Sequence, residues 1–200
     1  MTITYRIGDS LYINMTNRCT NACGFCIRER RDTMGDGGSL WFDGPEPSKE
    51  EIWADIMRRS PENFKQVVFC GFGEPLMRFD DVLWLCRRLK EAGAPPVRIN
   101  TNGHAALITG RDAAAELKGL VEAVSISLNA KNAAQYAKLC RPSFGEAAYD
   151  AVLDFARRCV EVGIPSVTLT VLDFLPAEDI EACREIAAKI GAHFRVRSME

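Results

Sequence analysis

Three closely spaced cysteines constrain this chain more than any other feature of its sequence. Cys19, Cys23 and Cys26 follow one another with the spacing C-x₃-C-x₂-C. The same spacing would place three thiols on one face of a helix, where they could be buried core residues. However, the residues between them, such as Asn21 and Gly24, favour loops and turns over helix interiors. The sequence therefore predicts a loop that presents three thiolates, which is typical of a metal site.

The number of thiols bears on which metal the loop holds. A structural zinc ion takes four protein ligands, usually as two close pairs, and this sequence has no second close pair of cysteines. Folding could bring His104 or His193 to the three cysteines, so a zinc-binding interaction module is one alternative. A 4Fe–4S cluster on three thiolates instead leaves one iron without a protein ligand, and that iron can bind a small molecule.

The cysteine array, with Phe25 just before its last cysteine, resembles the signature of the radical S-adenosylmethionine (radical SAM) superfamily. In that family the open iron binds the amino and carboxylate groups of S-adenosylmethionine, and reductive cleavage releases a 5′-deoxyadenosyl radical. The resemblance implies a radical SAM enzyme with a 4Fe–4S cluster, held by Cys19, Cys23 and Cys26, and with S-adenosylmethionine bound near Phe25. It also implies a substrate, a small molecule or a peptide, that loses hydrogen to the radical, and an electron donor of the flavodoxin or ferredoxin type.

Strands and helices alternate along the rest of the chain. Six predicted strands cover Leu11–Met15, Val67–Cys70, Val97–Thr101, Ala123–Leu128, Ser166–Leu172 and Ala192–Arg197. Helical patterns between them indicate right-handed βαβ units and a parallel sheet. Six units are too few to close an eight-stranded barrel. We therefore predict an α/β fold, a partial, open (β/α)6 TIM-like barrel with parallel strands, forming a single radical SAM core domain over residues 1–200.

A second candidate motif follows the second predicted strand. Gly71-Phe72-Gly73-Glu74-Pro75 is similar to the Gly-Gly-Glu motif of the radical SAM superfamily, which binds the methionine amino group. The resemblance assigns Gly71, Gly73 and Glu74 to cofactor binding. Glycines let the backbone approach a ligand closely, and a carboxylate accepts hydrogen bonds from an ammonium group. A glycine-rich turn with a solvated carboxylate is the alternative.

Further polar residues lie past the third and fourth predicted strands. Asn102, Ser127 and Asn129 resemble the positions at which the superfamily contacts the ribose of S-adenosylmethionine. Any one of them alone could be an ordinary turn residue. Arg141 could pair with the methionine carboxylate, or it could be a surface cation.

Composition and charge argue against several other functions. The net charge is −2, so no global electrostatic attraction to nucleic acid is expected. No apolar run approaches the length of a membrane span, and the first residues do not resemble a signal peptide. Eight cysteines without a secretion signal indicate reduced thiols, so we expect a cytoplasmic protein that does not bind membranes.

Within the superfamily, the closest resemblance is to the short radical SAM proteins associated with TatD-family nucleases. The motifs Phe-Cys-Gly-Phe-Gly-Glu-Pro and Ser-Leu-Asn are also similar to those of radical SAM RNA methylases, which is a second alternative. Those enzymes have an additional N-terminal domain and a downstream cysteine that becomes methylated. The array here begins at residue 19, where we expect no such domain, and Cys183 lies within a predicted helix as a core residue.

The segment from Arg31 to Pro47 is predicted to be a long loop. It contains several glycines, but also Trp41 and Phe42, whose apolar surface a freely solvated loop does not need. One hypothesis is a lid or substrate-contact element next to the cysteine loop. The alternative is that the aromatic side chains dock onto the barrel as part of its core.

Overall fold

The computed structural model describes residues 2–199, which form a seven-stranded sheet with helices packed against it. The strands are β1 (Thr4–Ile7), β2 (Ser10–Ile13), β3 (Gln66–Phe69), β4 (Val97–Thr101), β5 (Ala123–Ser127), β6 (Ser166–Leu172) and β7 (His193–Arg197). The α-helices are α1 (Lys49–Arg58), α2 (Phe79–Glu91), α3 (Ala105–Thr109), α4 (Ala113–Leu117), α5 (Ala133–Cys140), α6 (Ala147–Glu161) and α7 (Ala177–Ile190).

The strands lie in the sheet in the order in which they occur in the chain. Strands β2 to β7 are all parallel, and they correspond to the six predicted strands. Within the described residues the sheet does not close, because β1 and β7 are its two edges. The predicted partial, open barrel is therefore confirmed. The sequence did not predict β1, which pairs antiparallel with β2 through a short hairpin that places Tyr5 opposite Tyr12.

The two faces of the sheet differ in chemical character. On β4, Val97 and Ile99 belong to the main hydrophobic core together with side chains from the helices. Successive side chains of a strand point to opposite faces, so Arg98 and Asn100 lie on the other side. We call this second side the helix-free face; it carries Arg98 and Asn100 and the residues level with them on neighbouring strands. In barrels built from βαβ units it is the inner face.

Local sequence signals explain where several helices begin. The hydroxyl oxygen of Ser48 accepts a hydrogen bond from the Glu51 amide at 3.1 Å, and the Glu51 carboxylate accepts one from the Ser48 amide at 2.7 Å. These two hydrogen bonds form a capping box. Asn132 caps α5 through its side-chain oxygen, which accepts a hydrogen bond from the amide of Gln135. Helix α3 was not predicted. Within residues 2–199, none of the helices combines the length and the apolar character needed to cross a membrane.

The predicted loop from Arg31 to Pro47 packs against the hairpin of β1 and β2. Leu40 is fully buried in a small second core with Tyr5 and Phe72, and the rings of Trp41 and Phe72 lie 5.2 Å apart. The side-chain amide of Asn14 donates a hydrogen bond to the Leu40 carbonyl at 2.8 Å. These contacts support the docked alternative over a mobile lid for Trp41, whereas Phe42 belongs to neither hydrophobic core of the described residues.

Replacing Leu40 by Ala should therefore destabilise the protein whether or not a ligand is present. Leu40 is 0% exposed, and removing a buried leucine side chain typically costs about 2–5 kcal/mol. Urea unfolding of the metal-free protein measures this loss. Leu107→Ala is the matched control, because Leu107 is 37% exposed on α3 and should change stability little. A Leu40→Ala protein of normal stability whose loop is cleaved faster only with S-adenosylmethionine present would instead support a lid.

Candidate active site

The three cysteines of the array lie in the loop that follows β2, at the carboxyl end of the parallel strands. Cys19, Cys23 and Cys26 are free thiols, and each is half-buried. Burial raises the pKa of Cys19 to about 11 and also raises the pKa of Cys26. A hydrogen bond with Cys140, together with burial, raises the pKa of Cys23. The metal-free loop therefore carries protonated thiols, and a metal must displace their protons when it binds.

The end of α5 holds the cysteine loop in place. The amide of Ala22 donates to the Cys140 carbonyl at 2.9 Å, and the amide of Ser143 donates to the Thr20 carbonyl at 2.8 Å. Asn21 forms an isolated antiparallel bridge with Pro142. Because these are backbone contacts between segments far apart in the chain, no local sequence pattern could have predicted them.

A buried network of polar side chains also supports the cysteine loop. One ring nitrogen of His104 lies 2.9 Å from the Thr20 hydroxyl, and the other lies 2.9 Å from the Tyr136 hydroxyl. The side-chain amide of Asn21 donates to the same Tyr136 oxygen at 3.0 Å. Burial lowers the pKa of His104 to about 4, so its ring is neutral. Both nitrogens of His104 are engaged in the network, which leaves neither as a zinc ligand.

Removing the Tyr136 hydroxyl should loosen the cysteine loop. Tyr136→Phe leaves the Asn21 side-chain amide and one ring nitrogen of His104 without their shared partner, and such a loss typically costs about 1–3 kcal/mol. We expect urea unfolding to show this loss, and we expect iron to be lost faster from the reconstituted protein during gel filtration. The control is Tyr149→Phe, which removes a hydroxyl that donates to the Ala130 carbonyl at 3.2 Å and takes no part in the network. Equal iron retention in both variants would contradict a role for the network in holding the loop.

Glu74 lies between the end of β3 and the end of β4. Its carboxylate accepts hydrogen bonds from the Leu76 amide at 3.0 Å, the Thr101 hydroxyl at 2.8 Å and the Asn102 amide at 2.6 Å. Its own amide donates to the Arg18 carbonyl at 2.8 Å, just before the first cysteine. Burial raises the pKa of Glu74 to about 7, although the hydrogen bonds oppose that rise. The alternative of a solvated carboxylate does not fit this environment.

The two glycines of the motif approach the chain that leads into the cysteine loop. A Cβ atom on Gly71 would overlap with the side chain of Asn14, and one on Gly73 would overlap with the carbonyl oxygens of Thr16 and Arg18. The absence of a side chain is therefore required by protein packing. Contact of these glycines with a cofactor stays a prediction.

The predicted ribose-contact residues lie at the ends of β4 and β5. The amide of the Asn102 side chain donates to the Thr20 hydroxyl at 2.8 Å and lies 3.7 Å from the Cys19 sulfur. Ser127 is half-buried on the helix-free face. Asn129 adopts a left-handed conformation with φ of 58°, and its side-chain oxygen is buried without a hydrogen-bond partner in the described residues. That oxygen is free to accept a hydrogen bond from a ligand.

Phe25 and Arg141 line a groove beside the cysteine loop. The ring of Phe25 lies 5.2 Å from that of Phe174, which follows β6. The groove has a volume of about 460 Å³ and is also lined by Lys138 and Leu139. The guanidinium of Arg141 lies over Gly24. The structure thus brings Arg141 to the cysteine loop, although they are separated by more than one hundred residues in sequence.

The donor set suits an iron–sulfur cluster better than a single ion. Within residues 2–199, no three His, Cys, Asp or Glu side chains come close enough together to hold one metal ion. The thiolates of a cubane cluster bind separate irons and therefore lie farther apart. Two N–H groups also point at the Cys19 sulfur, from Asn102 and, at 3.4 Å, from the Asn21 backbone. Hydrogen bonds of this kind tune the sulfurs of such clusters.

Sequence reasoning missed one cysteine near the array and placed another correctly. The thiol of Cys23 donates a weak hydrogen bond to the Cys140 carbonyl at 3.8 Å, and Cys140 itself is buried. Its position at the end of a predicted helix gave no signal of this proximity. Cys183 is fully buried in the core on α7, as expected, which does not favour the RNA-methylase alternative.

An open α/β barrel with a cysteine triplet after its first parallel strand and a buried glutamate after the next defines a metal-dependent barrel enzyme. Residues 13–190 match the family model of the Radical SAM superfamily, and the chain belongs to this family. It is therefore an enzyme of radical chemistry. Its cofactors are those of the family, a 4Fe–4S cluster and S-adenosylmethionine.

Two relatives and one solved structure show what the chain is similar to. It is 27% identical over 189 residues to a probable GTP 3′,8-cyclase of Methanocaldococcus jannaschii, covering 94% of this chain and 57% of that protein. It is 29% identical over 194 residues to a probable GTP 3′,8-cyclase of Methanosarcina acetivorans, covering 95% of this chain and 54% of that protein. The FeFe-hydrogenase maturase HydG from Carboxydothermus hydrogenoformans superposes with a TM-score of 0.64 at 15% identity, covering 96% of this chain and 44% of HydG.

These comparisons fix the family and the fold. The chain spans about half the length of the curated relatives it matches, so their activity does not transfer directly. The likeness to HydG concerns the fold alone. The predicted closeness to the TatD-associated proteins stays a prediction, since the relatives described here carry another name.

Proposed function

We propose that Cys19, Cys23 and Cys26 together bind a 4Fe–4S cluster and that residues 1–200 form one radical SAM core domain. The chemistry supplied by such a cluster is one-electron cleavage of S-adenosylmethionine to a 5′-deoxyadenosyl radical, which abstracts hydrogen from the substrate. The observation that carries this proposal is the set of three free, half-buried thiols on a loop anchored from two sides.

Glu74, Asn102 and Asn129 are proposed to bind S-adenosylmethionine. Glu74 and Asn102 are hydrogen-bonded to each other, and Asn102 also reaches the cysteine loop, so a ligand of the open iron would lie close to both. A cationic amino group beside Glu74 would favour its charged form. The unpartnered side-chain oxygen of Asn129 suits a ribose hydroxyl.

Phe25, Ser127 and Arg141 complete the proposed cofactor site. Phe25 offers an apolar ring next to the last cysteine, and Ser127 offers a hydroxyl on the helix-free face. Arg141 is an exposed cation beside the loop, suited to a carboxylate. Gly71 and Gly73 contribute indirectly, because they let the segment before the cysteines lie close to the Glu74 turn.

The substrate is proposed to be a small molecule, and the reductant a flavodoxin- or ferredoxin-type protein. The relatives named GTP 3′,8-cyclase support a small-molecule substrate. Arg30, Lys138 and Arg141 line the groove beside the cysteine loop and would attract an acidic electron carrier. The cytoplasmic location predicted from the cysteine content fits this redox chemistry.

Loss of any one of the three cysteines should abolish cluster assembly. We expect about four iron and four sulfide per chain after anaerobic reconstitution of the wild type, and a strong loss of both in Cys23→Ala. Cys86→Ala is the matched control, because Cys86 is fully buried on α2, away from the array. Stoichiometric zinc without acid-labile sulfide in the purified protein would overturn the proposal.

Glu74→Gln should weaken binding of S-adenosylmethionine to the reconstituted protein. The expected loss is about 1.5–3 kcal/mol at pH 8, the range of a hydrogen bond to a charged group. Because burial raises the pKa of Glu74 to about 7, the wild-type carboxylate is mostly protonated at pH 6 and mostly charged at pH 8. The affinity advantage of the wild type over Glu74→Gln should therefore grow as the pH rises through 7.

Calorimetry at both pH values measures this difference, and titration of S-adenosylmethionine itself cancels between the two proteins. Glu50→Gln, an exposed change in the first turn of α1, is the control. An unchanged affinity in Glu74→Gln with the cluster intact would remove Glu74 from the cofactor site.

A further inference from the structure

Three arginines lie on the helix-free face of the sheet. Arg98 is level with Val68 of β3, which is itself level with Tyr12 of β2. On the far edge, Arg195 is level with Thr170 and Arg197 with Leu172. Their strand neighbours Ile99 and Phe194 pack on the helix side, so the arginines extend from the opposite face.

These arginines have no carboxylate partner among residues 2–199. None of the ion pairs within 4.0 Å in the described chain includes Arg98, Arg195 or Arg197. Among residues 2–199, the Nε atoms of Arg98 and Arg197 are buried without a hydrogen-bond partner, and so is the side-chain oxygen of Asn100 on the same face. A buried guanidinium with unused donors is unfavourable unless an acceptor binds there.

Arg98 on β4 and Arg197 on β7 both lie near Cys70 and Tyr12 on the helix-free face. Arg98 donates a hydrogen bond to the Tyr12 hydroxyl at 3.2 Å. Burial raises the pKa of the Cys70 thiol, and a hydrogen bond from Asn100 and the charges of Arg197 and Arg98 oppose that rise. Burial also lowers the pKa of Arg197, and Arg195 lowers it further. The charge of Arg195 therefore opposes that of Arg197, whose guanidinium is poorly solvated.

We propose that Arg98, Arg195 and Arg197 form a binding site for the phosphate groups of a small-molecule substrate, which enters the helix-free face of the open barrel. This assignment rests on the proposed function, because it names the class of substrate on which that site acts. A guanidinium binds phosphate through two parallel hydrogen bonds, and three cations with no carboxylate partner in the described chain match a group with several negative charges. The exposed position of Arg195 at the edge strand gives such a ligand a route in.

The test uses inorganic pyrophosphate as the probe, titrated into the reconstituted protein and followed by calorimetry. We expect Arg98→Gln and Arg197→Gln each to weaken binding about tenfold or more, the effect of losing a charge-assisted hydrogen bond. Arg157→Gln is the matched control, because Arg157 is exposed on α6 and pairs with Asp154. Its affinity should equal that of the wild type.

The thermal stability of the same variants is a second test of the assignment. Because the two Nε atoms lack partners, the Gln variants should unfold at the same temperature as the wild type or higher. If a Gln variant does not fold, Arg197→Lys keeps the charge and removes the two-pronged contact, and it should still bind pyrophosphate several-fold more weakly than the wild type.

Several results would overturn the assignment. They are no pyrophosphate binding by the wild type at millimolar concentration, unchanged affinity in Arg98→Gln and Arg197→Gln, and succinate binding as tightly as pyrophosphate, which would indicate a carboxylate site. Weaker binding of S-adenosylmethionine with unchanged pyrophosphate binding would assign the arginines to the cosubstrate.

The phosphate site and the proposed radical chemistry can be tested independently of each other. Cys23→Ala should bind pyrophosphate as the wild type does, because the arginines belong to the sheet and not to the cysteine loop. A wild type that holds no iron and sulfide yet binds pyrophosphate through the arginines would refute the radical chemistry and leave the phosphate site standing. A wild type that forms the cluster and cleaves S-adenosylmethionine but does not bind pyrophosphate would support the radical chemistry and refute the phosphate site.

Discussion

The buried carboxylate of Glu74 is the interaction on which the arrangement of the candidate active site depends. It joins the turn after β3 to the Thr101–Asn102 end of β4, while its own backbone amide holds the residue before Cys19. Three segments that are distant in sequence are thereby fixed relative to one another. Glu74 is 3% exposed, so water does little to stabilise the charge of its carboxylate. A cation bound nearby would stabilise the carboxylate charge in place of water. Ligand binding would then strengthen the same carboxylate that holds the three segments of the site together.

Part of this arrangement follows from the sequence alone. The six parallel strands were predictable because apolar residues alternate along them or form short buried runs between helical patterns. The cysteine loop was predictable because Asn21 and Gly24 do not belong in a helix. Strand β1 was missed because it pairs antiparallel with β2 through a hairpin and so lies outside the alternation of strands and helices that identified the others. The long loop was ambiguous for a similar reason, since Leu40 becomes a core residue only when Tyr5 and Phe72 are next to it.

The support of the cysteine loop could not be predicted, because it depends on contacts between distant segments. His104 was considered as a metal ligand, and its true role is to bridge Thr20 and Tyr136 in the core. The functional motif and its packing are also difficult to separate by sequence. Gly73 matches a cofactor motif, yet its missing side chain is required by the carbonyl oxygens of Thr16 and Arg18. In a motif of this kind, packing and ligand binding can require the same residue at the same position.

Arginines on the two sides of the sheet differ in whether they have an acidic partner. On the helix side Arg78 pairs with Asp81 at 2.7 Å, Arg111 with Asp80 at 2.6 Å and Arg158 with Asp112 at 2.9 Å. On the helix-free face Arg98 and Arg197 have buried nitrogen atoms and no acidic partner among residues 2–199. Selection for stability alone would give the opposite pattern, since an exposed arginine gains little from a partner and a buried one loses much without it. We therefore attribute these arginines, which have no acidic partner in the described chain, to an anion that binds from outside, inside the open barrel where we propose that the substrate lies.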